Sequence, residues 1–436
     1  MRSLAFVLSV FFGCLFAWTG ASAQITVERT VTSNLGIPQN ETLSSSLLWT
    51  NTGLSSITGT SVTVNFSGTD PNNPIVLGQY SSALRFEPGT ARGITNSVFE
   101  MNGLTSLSQI FDLGSGFSSA VLGGTNRWVL FVTATQGGGA GKMDSWKLAV
   151  EGISTGSGTT MDLENGGIVR VANSEITGTI QATVDTGSAG NTATMEAGLH
   201  KTLEVTGGIN GAGAFSKTGL GTVVLGGSTA NTFSGNASVN AGTLRLNKTA
   251  GTAAISSTTI AVNSGGTLLL GAANQIEDTT RIDLAGGTLD TAGFGDAVGK
   301  LTVSAASTVK GLAAAGSGSE FSFSDIDLGS YLTSSGPTLT FLPTTGTYGL
   351  GTVIQLSSVA ASSWTGYGDG TSLNNFAQKI SFSDANLRAQ INFGGGTSGT
   401  TLAVAAIPEP GIYAAAAVLT MLIGLSEYRR RRALPS

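Results

Sequence analysis

Gly242-Thr243-Leu244-Arg245-Leu246, near the middle of the chain, has three close counterparts. They are Gly221-Thr222-Val223-Val224-Leu225, Gly266-Thr267-Leu268-Leu269-Leu270 and Gly287-Thr288-Leu289-Asp290-Thr291, and consecutive segments are 21, 24 and 21 residues apart. Aliphatic and other residues alternate within a segment, so Leu244 and Leu246 share one face of a strand. A strand pattern that returns at this interval indicates the coils of a parallel β-helix.

A second strand precedes three of these segments across a tight corner. The corners contain Asn or Gly, which tolerate positive φ at little cost, and they read Val239-Asn240-Ala241-Gly242, Val262-Asn263-Ser264-Gly265-Gly266 and Leu284-Ala285-Gly286-Gly287. One unit of strand, corner, strand and loop cannot bury its apolar stripe, so successive units must stack. The sequence therefore predicts a right-handed parallel β-helix over residues 160–315, in an all-β chain. The side chains predicted to point inward are Val223, Leu225, Leu244, Leu246, Leu268, Leu270, Leu284 and Leu289.

One stretch also resembles a known repeat family. Lys217-Thr218-Gly219-Leu220-Gly221-Thr222-Val223-Val224-Leu225-Gly226-Gly227, followed by Asn231-Thr232-Phe233-Ser234-Gly235 and Val239-Asn240-Ala241-Gly242-Thr243-Leu244, is similar to the autotransporter-associated β-strand repeat. That family occurs in the β-helical stalks of secreted passenger proteins, so the resemblance implies a β-helix. The residues after the predicted helix do not resemble the translocating part of an autotransporter, and self-translocation is not implied.

The flanks of the predicted β-helix differ from it in pattern. Residues 24–155 contain alternating strands, such as 61–66 and 128–132, which predict an antiparallel β-sandwich-like domain. Residues 152–160 are rich in Gly, Ser and Thr and are predicted to be a linker. Residues 316–405 contain further strands and are predicted to finish and cap the β-helix.

The first 23 residues have the pattern of a signal peptide. Met1-Arg2 is a short charged region, residues 4–18 are apolar, and Ala21 and Ala23 supply the small residues of a signal-peptidase site before Gln24. The single cysteine, Cys14, lies inside the apolar region. Cleavage would leave no thiol, which excludes disulfides, cysteine nucleophiles and thiolate metal sites from the mature chain.

The other end of the chain carries three elements in order. Pro408, Glu409 and Pro410 precede an uncharged stretch over 412–425, and four basic residues follow it, namely Arg429, Arg430, Arg431 and Arg432. The stretch has 14 residues and, as a helix, would span only about 20 Å of a hydrocarbon core about 30 Å thick. The arginines are expected to stay cytoplasmic, so the body of the protein would lie outside.

This arrangement resembles the PEP-CTERM sorting signal of Gram-negative bacteria over residues 407–432. The resemblance implies a single apolar helix that inserts transiently in the inner membrane and an exosortase that cuts near Pro408. The expected destination is the cell surface or the extracellular matrix. An ordinary single-pass C-terminal helix, with the body retained in the periplasm, is the alternative.

Composition excludes several function classes. Only 11% of residues are charged, 63 are glycine and the formal net charge is −5. Neither a basic patch nor interleaved basic and aromatic residues occur in the body, which argues against nucleic acid as a partner. The single histidine, His200, has no second histidine with which to hold zinc, so we predict neither a metal nor a cofactor.

Three short motifs imitate catalytic or binding sites. Gly152-Ile153-Ser154-Thr155-Gly156 fits a nucleophile elbow, with Asp185 and His200 as formal partners, but a Gly-Ser-Thr linker matches by chance. Residues 136–143 imitate a phosphate loop but have Gln136 and Met143 at its first and hydroxyl positions. Asp325 and Asp327 lack the remaining ligands of a calcium loop. We interpret all three as loops or turns.

The function predicted from these features is that of a structural or adhesive protein without catalysis, with exopolysaccharide or other surface proteins as partners. Two alternatives stay open. One is a β-helical lyase or hydrolase in which Asp283 and Asp290, with Arg281 nearby, line a carbohydrate groove. The other is a soluble ligand-binding module.

Overall fold

The computed structural model describes residues 24–37, 42–50, 52–68, 80–88, 97–101, 108–112, 125–134, 141–154, 159–344, 348, 352–367, 370–382, 387–392 and 400–406. The described structure is mostly β, with 54% strand, and its central part is a β-solenoid of about seven turns. The predicted all-β class and the β-helix are thus confirmed; the predicted right hand of the coil stays a prediction.

Eight strands precede the solenoid: β1 (Ile25–Ile37), β2 (Thr42–Thr50), β3 (Ser56–Gly68), β4 (Tyr80–Pro88), β5 (Ser97–Met101), β6 (Ser108–Asp112), β7 (Thr125–Ala134) and β8 (Gly141–Ile153). They pair antiparallel in two groups, β2-β7-β4-β5 and β1-β8-β3-β6. Alternate residues of β3, among them Val62 and Val64, are fully buried, so this strand has one apolar face.

The coils contain three sets of strands. Those on the first side are β10 (Ile168–Val171), β13 (Thr192–Glu196), β16 (Ala214–Thr218), β18 (Ala237–Val239), β20 (Thr259–Asn263), β22 (Arg281–Ala285), β24 (Asp296–Ala305), β26 (Phe321–Ile326) and β28 (Val353–Ser357). Those on the second side are β11 (Thr177–Ile180), β14 (Thr202–Val205), β17 (Thr222–Leu225), β19 (Gly242–Leu246), β21 (Gly266–Leu270), β23 (Thr288–Asp290), β25 (Ser307–Lys310), β27 (Leu339–Leu342) and β29 (Ile380–Phe382). Those on the third side are β9 (Thr160–Asp162), β12 (Thr183–Asp185) and β15 (Ile209–Asn210).

These sets form three sheets in which neighbouring coils pair in parallel. The second side is a nine-stranded sheet from β11 to β29, and the third side is a three-stranded sheet. The first side belongs to a fifteen-stranded sheet, because β1 joins β10 at one end and β31 (Thr400–Ala406) joins β28 at the other, with β30 (Leu387–Asn392) beyond it. The helix α1 (Gly370–Lys379) immediately precedes β29, and two short 3₁₀ helices span Gly329–Tyr331 and Ala361–Ser363.

The core consists of columns of aliphatic side chains that run through successive coils. Val223, Leu244, Leu268 and Leu289 occupy equivalent positions in four neighbouring strands. The eight side chains predicted to point inward are all buried, with at most 1% of their surface exposed. Each fully buried aliphatic side chain stabilises the fold by about 1.5–3 kcal/mol relative to an exposed one, so the columns supply the main favourable term.

Several residues of the repeat-like stretch have clear structural roles. Lys217 occupies an inward position in β16, and its Nζ donates to the backbone carbonyls of Thr218, Gly219 and Ala241 at 2.7–2.9 Å, across the corner between the first and second sides. Asn231 is also buried, where it accepts from the backbone of Ile209 and donates to the carbonyl of Ala254, linking three coils. These residues satisfy backbone groups where the ladders are interrupted.

Phe233 fills space between two coils, and two glycines of the same stretch stand where a side chain would not fit or where φ is positive. Phe233 packs against Phe215 with ring centroids 5.8 Å apart. A Cβ on Gly235 would lie 2.1 Å from the carbonyl oxygen of Gly213, and Gly242 has φ of +62°. Both positions therefore require glycine.

The first strands are continuous with the solenoid. β1 pairs antiparallel with both β8 and β10. Arg29 of β1 forms a buried ion pair with Asp162 of β9 at 2.9 Å, and its guanidinium lies 5.3 Å from the ring centroid of Trp49. Glu28 pairs with Arg170 and, at 3.2 Å, with Lys147. The predicted N-terminal region is thus made of antiparallel sheets, one of which continues into the coils.

The coils continue further than the predicted limit of residue 315. Parallel pairing extends through β25, β27 and β29 on the second side, up to Phe382. The predicted linker overlaps the sheets, since β8 reaches Ile153 and Ser154 forms a bridge with Ile180. These segments lack the Gly-Thr pattern of the central coils, so their sequence gave no repeat signal.

The predicted C-terminal apolar helix lies outside the described residues. Within the part of the chain that the structure describes, no helix is long and apolar enough to cross a membrane. The helix and the sorting signal stay predictions.

The alternation of faces in β19 gives a direct test. Leu244 is fully buried and Arg245 is exposed. Leu244→Asp should unfold the coils, because an unpaired buried charge costs several kcal/mol. Arg245→Asp should be tolerated to within about 0.5 kcal/mol. Urea unfolding followed by circular dichroism measures both variants, and equal loss of stability in the two would contradict the assigned faces.

Candidate functional surface

The outer face of the nine-stranded sheet carries an unbroken column of hydroxyl side chains. Each of these residues is the in-register partner of the equivalent residue on the adjacent strand. We call them the threonine column: Thr177, Thr202, Thr222, Thr243, Thr267, Thr288, Thr308, Thr340 and Ser381. The hydroxyls of Thr340 and Ser381 lie 2.9 Å apart, so neighbouring rungs can be bridged by a hydrogen bond. β-Branched side chains suit this position because they pack well on a pleated surface.

A second outward column lies two residues further along the same strands. This mixed column is made of Thr179, Glu204, Val224, Arg245, Leu269, Asp290, Lys310 and Leu342. Its charges balance, with two acidic and two basic residues, and Asp290 pairs with Lys310 on the next rung at 3.1 Å. The face as a whole is therefore neutral and partly aliphatic.

Three middle coils of the first side carry amide and hydroxyl side chains on their outer face, with Glu196 on the coil before them and Arg281 and Asp283 on the coil after them. Asn263 donates from Nδ2 to Oδ1 of Asn240 at 2.7 Å, and Asn240 donates to Oγ of Ser216 at 2.9 Å and of Ser238 at 3.3 Å. We call Thr218, Ser238, Asn240 and Asn263, together with the largely buried Ser216, the amide face. Amides and hydroxyls both donate and accept hydrogen bonds, so this surface suits a neutral ligand rich in hydroxyl groups.

A buried chain of polar residues runs beneath the third side. The backbone N–H of Lys248 donates to Oε1 of Gln275 at 2.8 Å, and the backbone N–H groups of Gln275 and Ile276 donate to Oδ2 of Asp296 at 2.8 and 3.0 Å. Lys248 Nζ donates to the carbonyl of Gly226 at 2.8 Å. These contacts satisfy the backbone where the three-stranded sheet has ended.

Burial shifts the pKa values of the ionisable groups in this part of the structure. Burial lowers the pKa of Lys248 to about 8, and it lowers the pKa of Lys217 to about 8 against the weaker opposing effect of Glu196. Burial raises the pKa of Asp296 to about 6, with Asp278 adding to the shift and three backbone donors opposing it. All three groups thus carry an uncompensated desolvation cost.

A shallow depression of about 440 Å³ opens on the third side. Its polar lining includes Ser228, Thr252, Asn274, Glu277 and Asp278. Among the described residues, no three His, Cys, Asp or Glu side chains are close enough together to hold a metal ion. The depression has the chemistry to admit a small polar molecule, and nothing in its lining selects one.

The two carboxylates of the predicted carbohydrate groove lie on different sheets. Asp283 is on β22 of the first side and pairs with Arg281, whereas Asp290 is on β23 of the second side and pairs with Lys310. The structure therefore brings Arg281 to Asp283 but does not bring Asp283 and Asp290 into one groove.

The structure does not bring the three residues of the nucleophile-elbow motif together. Ser154 is buried, with Oγ 3.5 Å from the backbone nitrogen of Ala182, while His200 lies at a corner with φ of +61°. Asp185 Oδ1 accepts from the backbone of Gly187.

The two aspartates of the calcium-like motif also bind groups of the chain itself. Asp325 accepts from the backbone and hydroxyl of Thr365, and Asp327 accepts from the backbone of Gly329. Most of the phosphate-loop imitation lies outside the described residues. So do the signal-peptidase residues Ala21 and Ala23 and the sorting residues Pro408, Glu409, Pro410, Arg429, Arg430, Arg431 and Arg432.

The sequence pattern did not indicate the buried ionisable groups Lys217, Lys248 and Asp296. Lys217 occupies a position of β16 that is aliphatic in the neighbouring coil. This alignment is the one feature that distinguishes it from a lysine whose side chain points outward. The threonine column, in contrast, had a visible signal, because Thr follows Gly in all four of the central segments.

No family model matches the sequence, and no curated protein matches it.

The raised pKa of Asp296 predicts a pH dependence of stability. The folded chain binds more protons than the unfolded chain between about pH 4 and pH 6, so stability falls as the pH rises through this window. Asp296→Asn keeps an acceptor for Gln275 and Ile276 and removes the titration. Relative to the native chain, the variant should gain up to about 3 kcal/mol between pH 4 and pH 7.

Urea unfolding at a series of pH values measures this difference. Asp327→Asn, at a partly exposed position, serves as the control and should follow the native pH profile. Parallel profiles for Asp296→Asn and the native chain would contradict the assignment.

Proposed function

We propose that the protein is an exported component of the cell surface or of the exopolysaccharide matrix, with a structural and adhesive role. The observation that carries the proposal is the amide face, a hydrogen-bonded surface of Ser, Thr and Asn side chains spread over successive coils of a solenoid. A β-solenoid also fits an extended extracellular protein.

Repetition explains how such a surface would hold a polymer. A single hydroxyl or amide contact is worth only about 0.5–1.5 kcal/mol net. Similar groups recur on three successive coils, so a glycan chain that meets several of them gains binding free energy from each contact, while the entropic cost of association is incurred only once. Adhesion of this kind needs no deep pocket, no metal and no cofactor.

The proposed route to the surface follows the order of the sequence elements. Signal peptidase would cut after Ala23, and the segment over 412–425 would insert transiently in the inner membrane. Exosortase would then cut near Pro408, Glu409 and Pro410, whose proline rings keep the site extended, and would separate the arginine cluster from the body. Exopolysaccharide or other surface proteins are the proposed partners there.

Mass spectrometry of the protein from its native host tests the route. We expect the extracellular form to begin at Gln24 and to lack Arg429 to Arg432. An extracellular form that retains the arginines would contradict exosortase processing, and accumulation of the intact tail in the inner-membrane fraction would support permanent anchoring instead.

Retention in the matrix tests the adhesive role. A host in which the gene is deleted is complemented with the native chain or with Asn240→Ala/Asn263→Ala, and the matrix-bound fraction is measured. We expect the double variant to lose at least about fivefold of its matrix binding, because two amides are removed from a repeated contact.

The matched control is Thr232→Val/Ser234→Ala, which removes two polar groups from exposed positions elsewhere in the coils and should bind as the native chain does. Equal binding by both variants would contradict the role of the amide face. Turnover of the glycan by the purified chain would favour a carbohydrate-active enzyme, and one saturable high-affinity site in calorimetry would favour a ligand-binding module.

A further inference from the structure

The nine-stranded sheet has a middle strand about which its outer face is close to symmetric. Counting along the sheet, β21 is the fifth of nine strands and places Thr267 and Leu269 on the outer face. A twofold axis parallel to this strand would bring a second copy face to face, with the two solenoids antiparallel. The first strand of one copy would then face the ninth of the other, the second the eighth, and so on.

The threonine column is self-complementary under this operation. Every hydroxyl is both a donor and an acceptor, so a column of hydroxyls can pair with an identical column. The column spans all nine strands without a charged residue, and no like-charge contact arises when two copies meet.

The mixed column supplies one pair of opposite charges under the same operation. Arg245 lies one rung before Leu269 and Asp290 lies one rung after it. The axis therefore sets Leu269 against Leu269, and Arg245 of each copy against Asp290 of the other. Lys310 faces Val224, where its aliphatic stem can pack while its ammonium stays with Asp290. Glu204 faces Leu342 near the rim, within reach of water.

Exposed leucines at the edge of the face fit this register. Leu199, in the corner before the second strand, is 60% exposed, and Leu332, in the connection before the eighth strand, is 57% exposed. The twofold axis pairs the second strand with the eighth, so the connections that carry these two side chains lie at matching rungs of the two copies. Any part of the two leucines that the interface covers is apolar surface that a monomer leaves in water.

From these features we propose that the outer face of the nine-stranded sheet joins two copies of this chain in a twofold-symmetric dimer with its axis at Leu269. With strands about 4.8 Å apart and about 3.3 Å per residue, the face measures about 38 Å by 15 Å. Two copies would bury on the order of 1,100 Å² in total, the size of a weak but specific interface. The dimer goes beyond the adhesive function and leaves the amide face of both copies free.

Analytical ultracentrifugation of the full chain tests the dimer. We expect reversible dimerisation with a Kd in the micromolar range. Leu269→Asp, which sets two carboxylates against each other on the axis, should weaken it at least tenfold, as should Arg245→Asp, which sets Asp against Asp290. Mixing Leu269→Asp chains with Leu269→Lys chains sets opposite charges on the axis and should restore association to a Kd within about threefold of the native value, without touching Asp290, which pairs with Lys310 and accepts from the backbone of Ala292.

Ala261→Asp, at a partly exposed position on the first side, is the control and should dimerise as the native chain does. A full chain that stays monomeric at about 100 µM would overturn the proposal. A dimer that Leu269→Asp leaves unchanged would also overturn it, since association through the C-terminal apolar stretch is insensitive to this face. Failure of the mixed Leu269→Asp and Leu269→Lys chains to associate would overturn the position of the axis.

Discussion

In-register stacking of aliphatic columns is the constraint on which the rest of the structure depends. A single coil has only two or three short strands and cannot shield its own apolar side chains. Because Val223, Leu244, Leu268 and Leu289 occupy the same position in consecutive strands, each coil completes the core of its neighbours. A shift of one residue in any strand would turn its core side chains towards water, so the register is strongly specified.

Stacking leaves backbone groups without partners at the corners and at both ends of the coils, and polar side chains satisfy them. Lys217 and Lys248 donate to corner carbonyls, and Asp296 accepts from backbone N–H groups. At the first coil, the buried pair of Arg29 and Asp162 joins β1 to β9. Replacing one member of such an arrangement leaves a buried group unpaired, which costs more than the contact itself contributes.

The same register that builds the core also builds the surface. Once the inward residues of each strand align, the outward residues must align as well, and side chains that recur in sequence become continuous columns in space. This explains how a chain with shallow surface features can present an amide face on one side and a threonine column on the other. Repeated weak contacts are the mode of binding that such surfaces support.

The sequence by itself determined the coil repeat, the inward faces and the corners, because alternation and glycine spacing are local properties. The recurring Gly-Thr pair also marked four of the nine rungs of the threonine column. Only the tertiary structure decided that the coils continue to Phe382. The last coils have irregular connections and aromatic core residues such as Phe341 and Phe382, so they do not repeat the sequence pattern of the central coils. It alone separated Asp283 from Asp290 and buried Lys217, Lys248 and Asp296, because which charges meet depends on how coils stack, and that is a long-range property that no local pattern contains.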